Sequence, residues 1–366
     1  MAKRISVCFD GTWNKPGENG DETDVETNVC RLYESLLEQS PRDGWRQLSW
    51  YDRGVGTRFF ERLRGGAFGR GLDRNIKQGY AYLSTLYDEG DHIYVFGFSR
   101  GAYTARSLVG LIRKCGLLRK DAMPEAHVES QDRDRVENEL DRVIDKTLVE
   151  DAYDLYRKKD ERVDTAEATE FQRQYGRVVT IKFLGVWDTV GALGVPLLAF
   201  EGFNQRKYEF HDTKLSKSVE NAYHAIAIDE HRDLYDVTAW DPEEPVTSPR
   251  KLEQRWFAGA HSDVGGGHDD RRLSDVTLRW MQECAMEAGL GIDRAKVPTV
   301  TDETVQGSVT DSYRKFLGPL YRKVHPRHYR IIGQTKHGHE TIDDSVRRRY
   351  QLVEGYRPPN LNIDAA

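Results

Sequence analysis

Cysteine, long apolar runs and excess positive charge are all scarce in this chain of 366 residues. Its four cysteines, Cys8, Cys30, Cys115 and Cys284, are widely spaced and form no C-x-x-C pair, which argues against a disulfide framework and predicts reduced, buried thiols. A formal net charge of -6 gives no long-range attraction for polyanions, so nucleic acid is not an expected partner. The longest apolar stretch, residues 193–200, is far shorter than the roughly 20 residues of a membrane span.

The amino terminus also lacks the apolar core of a signal peptide. Lys3 and Arg4 lead directly into a short apolar strand that ends at Asp10. Residence in the cytoplasm is therefore expected, although a secretion system that reads no signal peptide would leave no trace in such a sequence.

Short runs of aliphatic, β-branched and aromatic residues predict strands. They cover residues 5–9, 48–51, 93–98, 178–187 and 256–260. Because their apolarity is continuous rather than alternating, we expect both faces of the sheet to be covered. Between the second and third runs, Ile76, Tyr80, Leu83 and Tyr87 share one helical face, and Gly90 is placed to end that helix. This order predicts an α/β fold with a mainly parallel sheet flanked by helices.

Residues 117–175 predict a helical insertion or cap within one domain that spans 1–366. The segment contains no glycine before Gly176, is densely charged and repeats its apolar residues at roughly helical spacing. We expect the insertion and the apolar loop 192–200 to control access to a site at the carboxyl ends of the strands.

The pentapeptide Gly97-Phe98-Ser99-Arg100-Gly101 is the strongest chemical signal. It follows an apolar strand and precedes a helix-like run, which is the context of the G-x-S-x-G nucleophile elbow. In this turn the serine hydroxyl is exposed at the strand end, so Ser99 is the candidate nucleophile. The alternative is a tight turn in which Ser99 only caps the next helix.

A serine nucleophile needs a histidine base, and that base needs an orienting acid. Asp188 directly follows the run that ends at Trp187, and His261 directly follows the run that ends at Ala260. The order serine, acid, histidine is that of α/β-hydrolases. His268 remains an alternative base and Asp263 an alternative acid, although Asp263 lies so near His261 in sequence that bracing the loop fits it better.

The first strand ends in Asp10-Gly11-Thr12, beside the expected position of the nucleophile strand. An oxyanion hole in this fold takes one N–H from the residue after the nucleophile and one from an earlier strand-end loop. Arg100 and either Gly11 or Thr12 are therefore the expected donors, with Asp10, Gly97, Gly101 and Asp263 in supporting positions. A simple turn at Asp10 and Gly11 is the alternative.

The glycine-rich stretch and the histidine pairs of this sequence do not form the motifs that bind nucleotides or metals. The glycine-rich stretch 54–71 contains neither G-x-x-x-x-G-K-[ST] nor a G-x-G-x-x-G after a strand, so no nucleotide is expected. His325 with His328, and His337 with His339, lack companion carboxylates at ligand spacing and are predicted to be solvated. Neither a metal nor another cofactor is expected.

Several motifs in order resemble the α/β-hydrolase family that includes the phospholipase effectors of type VI secretion systems. They are FDGTWN (9–14), GVGT (54–57), GRGLD (69–73), GFSRGAYTAR (97–106), WDTV (187–190), AIDE (227–230) and GAHSDVGGG (259–267). The resemblance implies esterase or phospholipase chemistry by a Ser-Asp-His triad, whose members match Ser99, Asp188 and His261.

The expected function is therefore hydrolysis of carboxylic esters through an acyl-enzyme, with lipids favoured over small esters through the resemblance alone. An ester or lipid substrate and transient contact with a membrane surface are the expected partners. The competing hypothesis is a catalytically inactive hydrolase fold that serves as a binding or scaffold protein. The sequence does not bear on oligomeric state.

Overall fold

A seven-stranded parallel sheet organises the computed structural model, which describes residues 2–11, 25–54, 67–130, 132–158, 165–191, 215–316 and 318–362. The sheet order is β2-β1-β3-β6-β7-β8-β9, and β4 and β5 pair separately as a short antiparallel ribbon. The strands are β1 (Arg4–Phe9), β2 (Gln47–Asp52), β3 (His92–Phe98), β4 (Leu117–Leu118), β5 (Gly176–Arg177), β6 (Ile181–Trp187), β7 (Val219–Ala227), β8 (Lys251–Phe257) and β9 (Glu340–Ile342).

Helices connect and cover these strands. They are α1 (Asn28–Ser35), α2 (Ala67–Leu86), α3 (Arg100–Cys115), α4 (Arg133–Asp145), α5 (Val149–Arg157), α6 (Ala166–Tyr175), α7 (His261–Gly265), α8 (Arg272–Glu287), α9 (Asp302–Val305), α10 (Ser312–Lys315), α11 (Gly318–Val324) and α12 (Asp344–Leu352). The α/β-hydrolase-like class predicted from the sequence is confirmed: a mainly parallel sheet carries helices around it.

The central strands are apolar along their whole length because both faces of the sheet are buried. Every residue of β1 is buried, and in β6 only Lys182 is partly accessible. One core cluster includes Ile5, Val95 and Leu184, whereas the other includes Tyr94, Phe96 and Phe183. Alternate residues of one strand thus contribute to two different cores.

Two of the predicted strands are misplaced, and two strands of the seven-stranded sheet are missed, as is the short β4–β5 ribbon. Residues 178–180 precede β6 rather than forming it, and Val178 is 81% exposed. The run 256–260 is only the end of β8, which begins at Lys251 and ends at Phe257. No strand is predicted for β7 or β9, because polar residues interrupt β7 and β9 is only three residues long.

Three helices, α4 to α6, occupy most of the segment 117–175. Leu140, Val143 and Tyr153 are buried in the core cluster that also contains residues of α2 and α3. That this segment is an insertion within a single domain remains a prediction. The helix α2 ends at Leu86 rather than near Gly90, whose positive φ of 91° belongs to the following turn.

Several predictions concern residues outside the described part of the chain. These are the access loop 192–200, Thr12 and most of the glycine-rich stretch 54–71. Across the part of the chain that the structure describes, no helix combines the length and apolarity needed to cross a membrane.

Candidate active site

Ser99 lies in a strained turn between β3 and α3. Its φ of 56° and ψ of -119° are unusual for a residue with a side chain. The flanking glycines are required by close contacts: a Cβ on Gly101 would lie 2.1 Å from the carbonyl oxygen of Phe9, and one on Gly97 would lie 2.4 Å from that of Gly101. The chain therefore makes a tight strand-to-helix turn with Ser99 at its tip, and the role of this turn as a nucleophile elbow remains a prediction.

The structure brings Ser99, His261 and Asp188 together from the ends of three strands. The Oγ atom of Ser99 lies 2.8 Å from Nε2 of His261, and Nδ1 of His261 lies 2.6 Å from Oδ2 of Asp188. Both distances lie within the range of hydrogen bonds. Pairing of β3 with β6 matches Phe98 with Trp187, so Ser99 and Asp188 emerge side by side.

Four hydrogen-bond donors surround the carboxylate of Asp188, which is fully buried. Its Oδ1 accepts from the Ala227 backbone N–H at 2.9 Å and from Nη1 of Arg330 at 2.6 Å, and its Oδ2 accepts from His261 and from Nη2 of Arg330 at 3.0 Å. Burial alone would raise the pKa of Asp188, but Arg330 and His261 outweigh it and hold the pKa well below its usual range. The carboxylate is therefore ionised at any pH near neutrality.

His261 is the first residue of α7 and is buried between aromatic rings. Its ring centroid lies 4.7 Å from that of Phe98 and 5.2 Å from that of Tyr235. Burial lowers the pKa of His261, and although Asp188 opposes this effect, the pKa remains below its ordinary value. The imidazole is therefore neutral at pH 7 and can accept a proton at Nε2.

The two alternatives have other partners in this structure. Asp263 accepts hydrogen bonds from the Ala260 N–H and from the backbone and hydroxyl of Thr310, so it braces the loop around His261. His268 lies 3.7 Å from Asp263, and its side chain is 38% exposed. The geometry thus favours Asp188 over Asp263 as the acid and His261 over His268 as the base.

A second buried acid, Glu230, supports the backbone of His261. Its carboxylate accepts from the His261 N–H at 3.3 Å and is held by Arg232, whose Nη2 lies 2.7 Å away. Burial would raise the pKa of Glu230, but Arg232 lowers it to about 2. The sequence motif that ends at Glu230 drew attention to this residue without assigning it a place beside the base.

One of the expected oxyanion-hole donors is already engaged. The Gly11 N–H donates to its neighbour Asp10 at 2.6 Å, so in this structure it does not point its proton at a substrate oxygen. The choice between Gly11 and Thr12 as the second donor remains a prediction. Arg100 is the first residue of α3 and keeps its predicted place beside the nucleophile.

Asp10 itself is buried at the end of β1. It accepts hydrogen bonds from Thr27 and Tyr51 as well as from Gly11. Burial nevertheless raises the pKa of Asp10 to about 6. Its contacts make Asp10 a support for the strand end rather than a member of the triad.

Other histidines, acids and a cysteine outside the triad form contacts of their own. His325 and His328 are half-buried rather than solvated, and His325 binds Asp233 at 2.7 Å, which corrects the earlier expectation. In the described segments, Glu26, Cys30 and Glu34 place ligand atoms within 4.8 Å of one another. Burial raises the pKa of the Cys30 thiol to about 12.

Comparison with known proteins assigns the chain to a family. Residues 3–284 match the model of the catalytic domain of Tle1-like phospholipase effectors of type VI secretion systems. The chain belongs to this family. The resemblance drawn from the motifs is thereby confirmed.

Relatives of this Tle1-like chain include an uncharacterised protein of Saccharomyces cerevisiae, 29% identical over 264 residues, which cover 66% of this chain and 33% of the yeast protein. Two solved structures are each 17% identical. An uncharacterised protein from Pseudomonas aeruginosa has a TM-score of 0.43, with 83% of this chain and 49% of that chain covered. The Tle1 effector bound to the VgrG spike has a TM-score of 0.40, with coverage of 74% and 52%. The chain spans between a third and about half of these relatives.

Arg330 is the site residue that the sequence analysis missed. It lies beyond residue 284, where the match to the Tle1-like catalytic domain ends, and it contacts an acid 142 positions earlier in the chain. Exposed neighbours, Tyr329 and Ile331, flank it, so no local pattern marks it as buried.

Proposed function

We propose that this Tle1-like chain hydrolyses carboxylic esters of phospholipids or related lipids, with Ser99 as nucleophile, His261 as general base and Asp188 as orienting acid. The observation that carries the proposal is the continuous pair of hydrogen bonds, 2.8 Å from Ser99 to His261 and 2.6 Å from His261 to Asp188. A serine in a strained elbow, a neutral imidazole and an ionised acid are the groups that acyl transfer requires.

The reaction proceeds in two halves. The Oγ atom of Ser99 attacks the ester carbonyl carbon while its proton passes to Nε2 of His261. The tetrahedral oxyanion then expels the alcohol, which takes that proton and leaves an acyl-enzyme. Water next gives a proton to Nε2 and attacks the acyl carbon, so that the fatty acid departs and the proton returns to Ser99.

Two backbone donors are proposed for the oxyanion. Arg100 supplies its N–H as the residue after the nucleophile, and Thr12, which follows Gly11 in the sequence, supplies the second. Thr12 lies outside the described residues, and it takes this place because the Gly11 N–H donates to Asp10.

Membrane contact is supported by an apolar and basic surface around the end of α11. Val324, Tyr329 and Ile331 are 71%, 40% and 65% exposed, which is unusual for residues of this size and apolarity. Arg322 and Lys323 are exposed beside them and would attract anionic headgroups. We call these five residues the α11 patch.

The helix α11, which carries three of the patch residues, connects to the site through packed rings. Tyr321 of α11 lies 5.0 Å from Phe316, Phe316 lies 5.6 Å from Tyr235, and Tyr235 lies 5.2 Å from His261, all measured between ring centroids. The helix that carries Arg322, Lys323 and Val324 is therefore connected to the triad, which supports the approach of a lipid from this side.

A fluorophosphonate probe followed by a substrate panel tests the proposal. Only an activated serine forms the phosphonyl adduct, so we expect labelling of wild type at Ser99 and none in Ser99→Ala. Ser274→Ala is the matched control, because its buried hydroxyl donates to the Arg271 carbonyl away from the triad. Phospholipid vesicles, lysolipids and short nitrophenyl esters then define the substrate class. An unlabelled wild type would favour the scaffold hypothesis.

A further inference from the structure

Arg330 buries a full positive charge against the acid of the triad. Its side chain is completely inaccessible, and the two terminal nitrogens form a two-pronged contact with the carboxylate of Asp188, at 2.6 Å and 3.0 Å. The same nitrogens also donate to the carbonyl oxygens of Ala227 and Tyr235. The guanidinium thus ties the acid to the end of β7 and to the loop that follows it.

This arrangement controls the orientation of the carboxylate as well as its charge. A planar guanidinium that binds both oxygens fixes the plane of the carboxylate, whereas a single contact would let it rotate. In that plane Oδ2 faces Nδ1 of His261 at 2.6 Å. The imidazole orientation, and with it the direction of Nε2 toward Ser99, follows from the orientation of Asp188.

We propose that Arg330 is the positioning residue of the catalytic acid, so that the segment after residue 284 completes the active site of the Tle1-like domain. The inference rests on the proposed esterase function. It goes beyond it by assigning a role to a part of the chain that lies outside the family match.

Three further contacts join the same segment to the loops of the site. Thr310 donates to Asp263, and Ser312 donates to Glu230, which in turn accepts from the His261 N–H. Phe316 packs edge-on against Tyr235. Arg330 is therefore the innermost of several contacts rather than an isolated one.

The charged side chains that act on Asp188 and His261 are Arg330, Glu230 and Arg232, whereas Asp236 acts on Arg330. His224 is the other titratable group nearby, and the charge of Asp188 acts on it. Burial lowers the pKa of His224 to about 3, so it stays neutral. Removing Arg330 would leave the Asp188 charge less compensated. The pKa of Asp188 and that of His261 would then both rise.

The test compares Arg330→Gln, Arg330→Lys and Arg330→Ala with wild type. For Arg330→Gln we expect kcat on a short soluble ester and the rate of fluorophosphonate labelling to fall by about a hundred-fold, the order expected when a catalytic group loses its alignment. KM should change little, because Arg330 is buried behind the acid. The acidic limb of the rate profile should move to higher pH, and Arg330→Lys should keep more activity than Arg330→Gln.

Chemical rescue separates positioning from folding. Guanidinium ion at non-denaturing concentration should restore part of the activity of Arg330→Ala, since it can occupy the vacated site. Arg349→Gln is the matched control: Arg349 is a buried arginine of the same segment whose Nη1 donates to the carbonyls of Val305 and Gly307. It should lose stability without a shift in the pH profile.

The outcomes are distinct. If Arg330→Gln is labelled at the wild-type rate with an unchanged pH profile, or if guanidinium restores only the folded fraction of Arg330→Ala, the positioning role is wrong. If wild type itself is not labelled at Ser99, the proposed function fails instead.

Discussion

Replacing Asp188 by Asn tests the triad at its most constrained atom pair. The carboxylate accepts from four N–H donors, on Ala227, His261 and both terminal nitrogens of Arg330. An asparagine side chain has one acceptor oxygen and an NH2 group that can only donate. Whichever way the amide turns, its NH2 group faces two N–H donors. These belong either to Ala227 and Nη1 of Arg330 or to His261 and Nη2 of Arg330.

The kinetic loss follows from the tautomer of His261. If the NH2 group faces Nδ1, the imidazole carries its proton on Nε2 and can no longer accept one from Ser99. We expect kcat to fall by about four orders of magnitude, which corresponds to about 5.5 kcal/mol of lost transition-state stabilisation. Initial rates of hydrolysis of a short soluble ester would measure this loss of kcat.

The same change leaves the charge of Arg330 unpaired in the interior. Breaking a buried pair from one side costs about 3–5 kcal/mol of folding stability, so Asp188→Asn should melt well below wild type. Activity must therefore be measured under conditions where circular dichroism shows a folded protein. The double variant Asp188→Asn, Arg330→Gln should recover part of the stability while remaining inactive.

Asp263→Asn is the comparison that would refute this reasoning. Asp263 holds the loop by accepting from Ala260 and Thr310, so its variant should lose far less activity than Asp188→Asn. A loss below about tenfold in Asp188→Asn, with Asp263→Asn much worse, would move the acid to Asp263.

Further predictions concern the base, the elbow and the α11 patch. Because burial lowers the pKa of His261, activity should rise with pH through an apparent pKa below the ordinary value of about 6.5. If this rise of activity with pH survives in His261→Ala but not in His268→Ala, the base is His268. Gly101→Ala should destabilise the fold by at least about 1–3 kcal/mol in denaturant titration, since its Cβ would lie 2.1 Å from a carbonyl oxygen of β1, and an unchanged midpoint would contradict the elbow contacts. Ile331→Ser should reduce hydrolysis of anionic vesicles several-fold while sparing a soluble ester. Val178→Ser, a change at another exposed apolar residue that precedes the start of the central strand β6, should affect neither. Equal losses of Ile331→Ser on both substrates would exclude a role of the patch in membrane contact.

The triad candidates could be found from the sequence because each follows an apolar run. Ser99, Asp188 and His261 all lie just past buried strands, and parallel strands place their carboxyl ends at one edge of the sheet. An error of a few residues in a predicted strand end does not change the edge of the sheet at which the next residue lies. The prediction that β8 ends at residue 260 rather than Phe257 still placed His261 at the correct edge.

Strand β7 was missed because its polar residues are satisfied by partners that only the fold supplies. His224 is buried in the middle of the sheet, where its Nε2 accepts from the Thr189 N–H and its Nδ1 lies 3.3 Å from Oε1 of Gln254. A sequence pattern counts such a histidine as polar and interrupts the strand. The same strand ends at Ala227, whose N–H binds the acid, so the missed element is part of the site.

Arg330 could not be predicted for a related reason. Arginine between exposed residues is typical of a surface loop, and its burial depends on the acid and the two carbonyl oxygens that surround it. The partners come from β6, β7 and the loop after β7, all far away in sequence. The spacing of apolar residues along the chain contains no information about contacts between residues so far apart in sequence.

The balance of charge around His261 indicates what Arg330 contributes. Two buried acid and arginine pairs, Asp188 with Arg330 and Glu230 with Arg232, leave the imidazole as the group whose charge would change during the proposed reaction. Coulombic attraction alone would favour an uncompensated Asp188, since it would stabilise the imidazolium that forms in the transition state. Removing Arg330 should then accelerate the reaction if charge were its main effect. The fall in kcat that we expect would therefore show that alignment of the carboxylate outweighs the charge that Arg330 neutralises, whereas a rise in kcat would show the reverse.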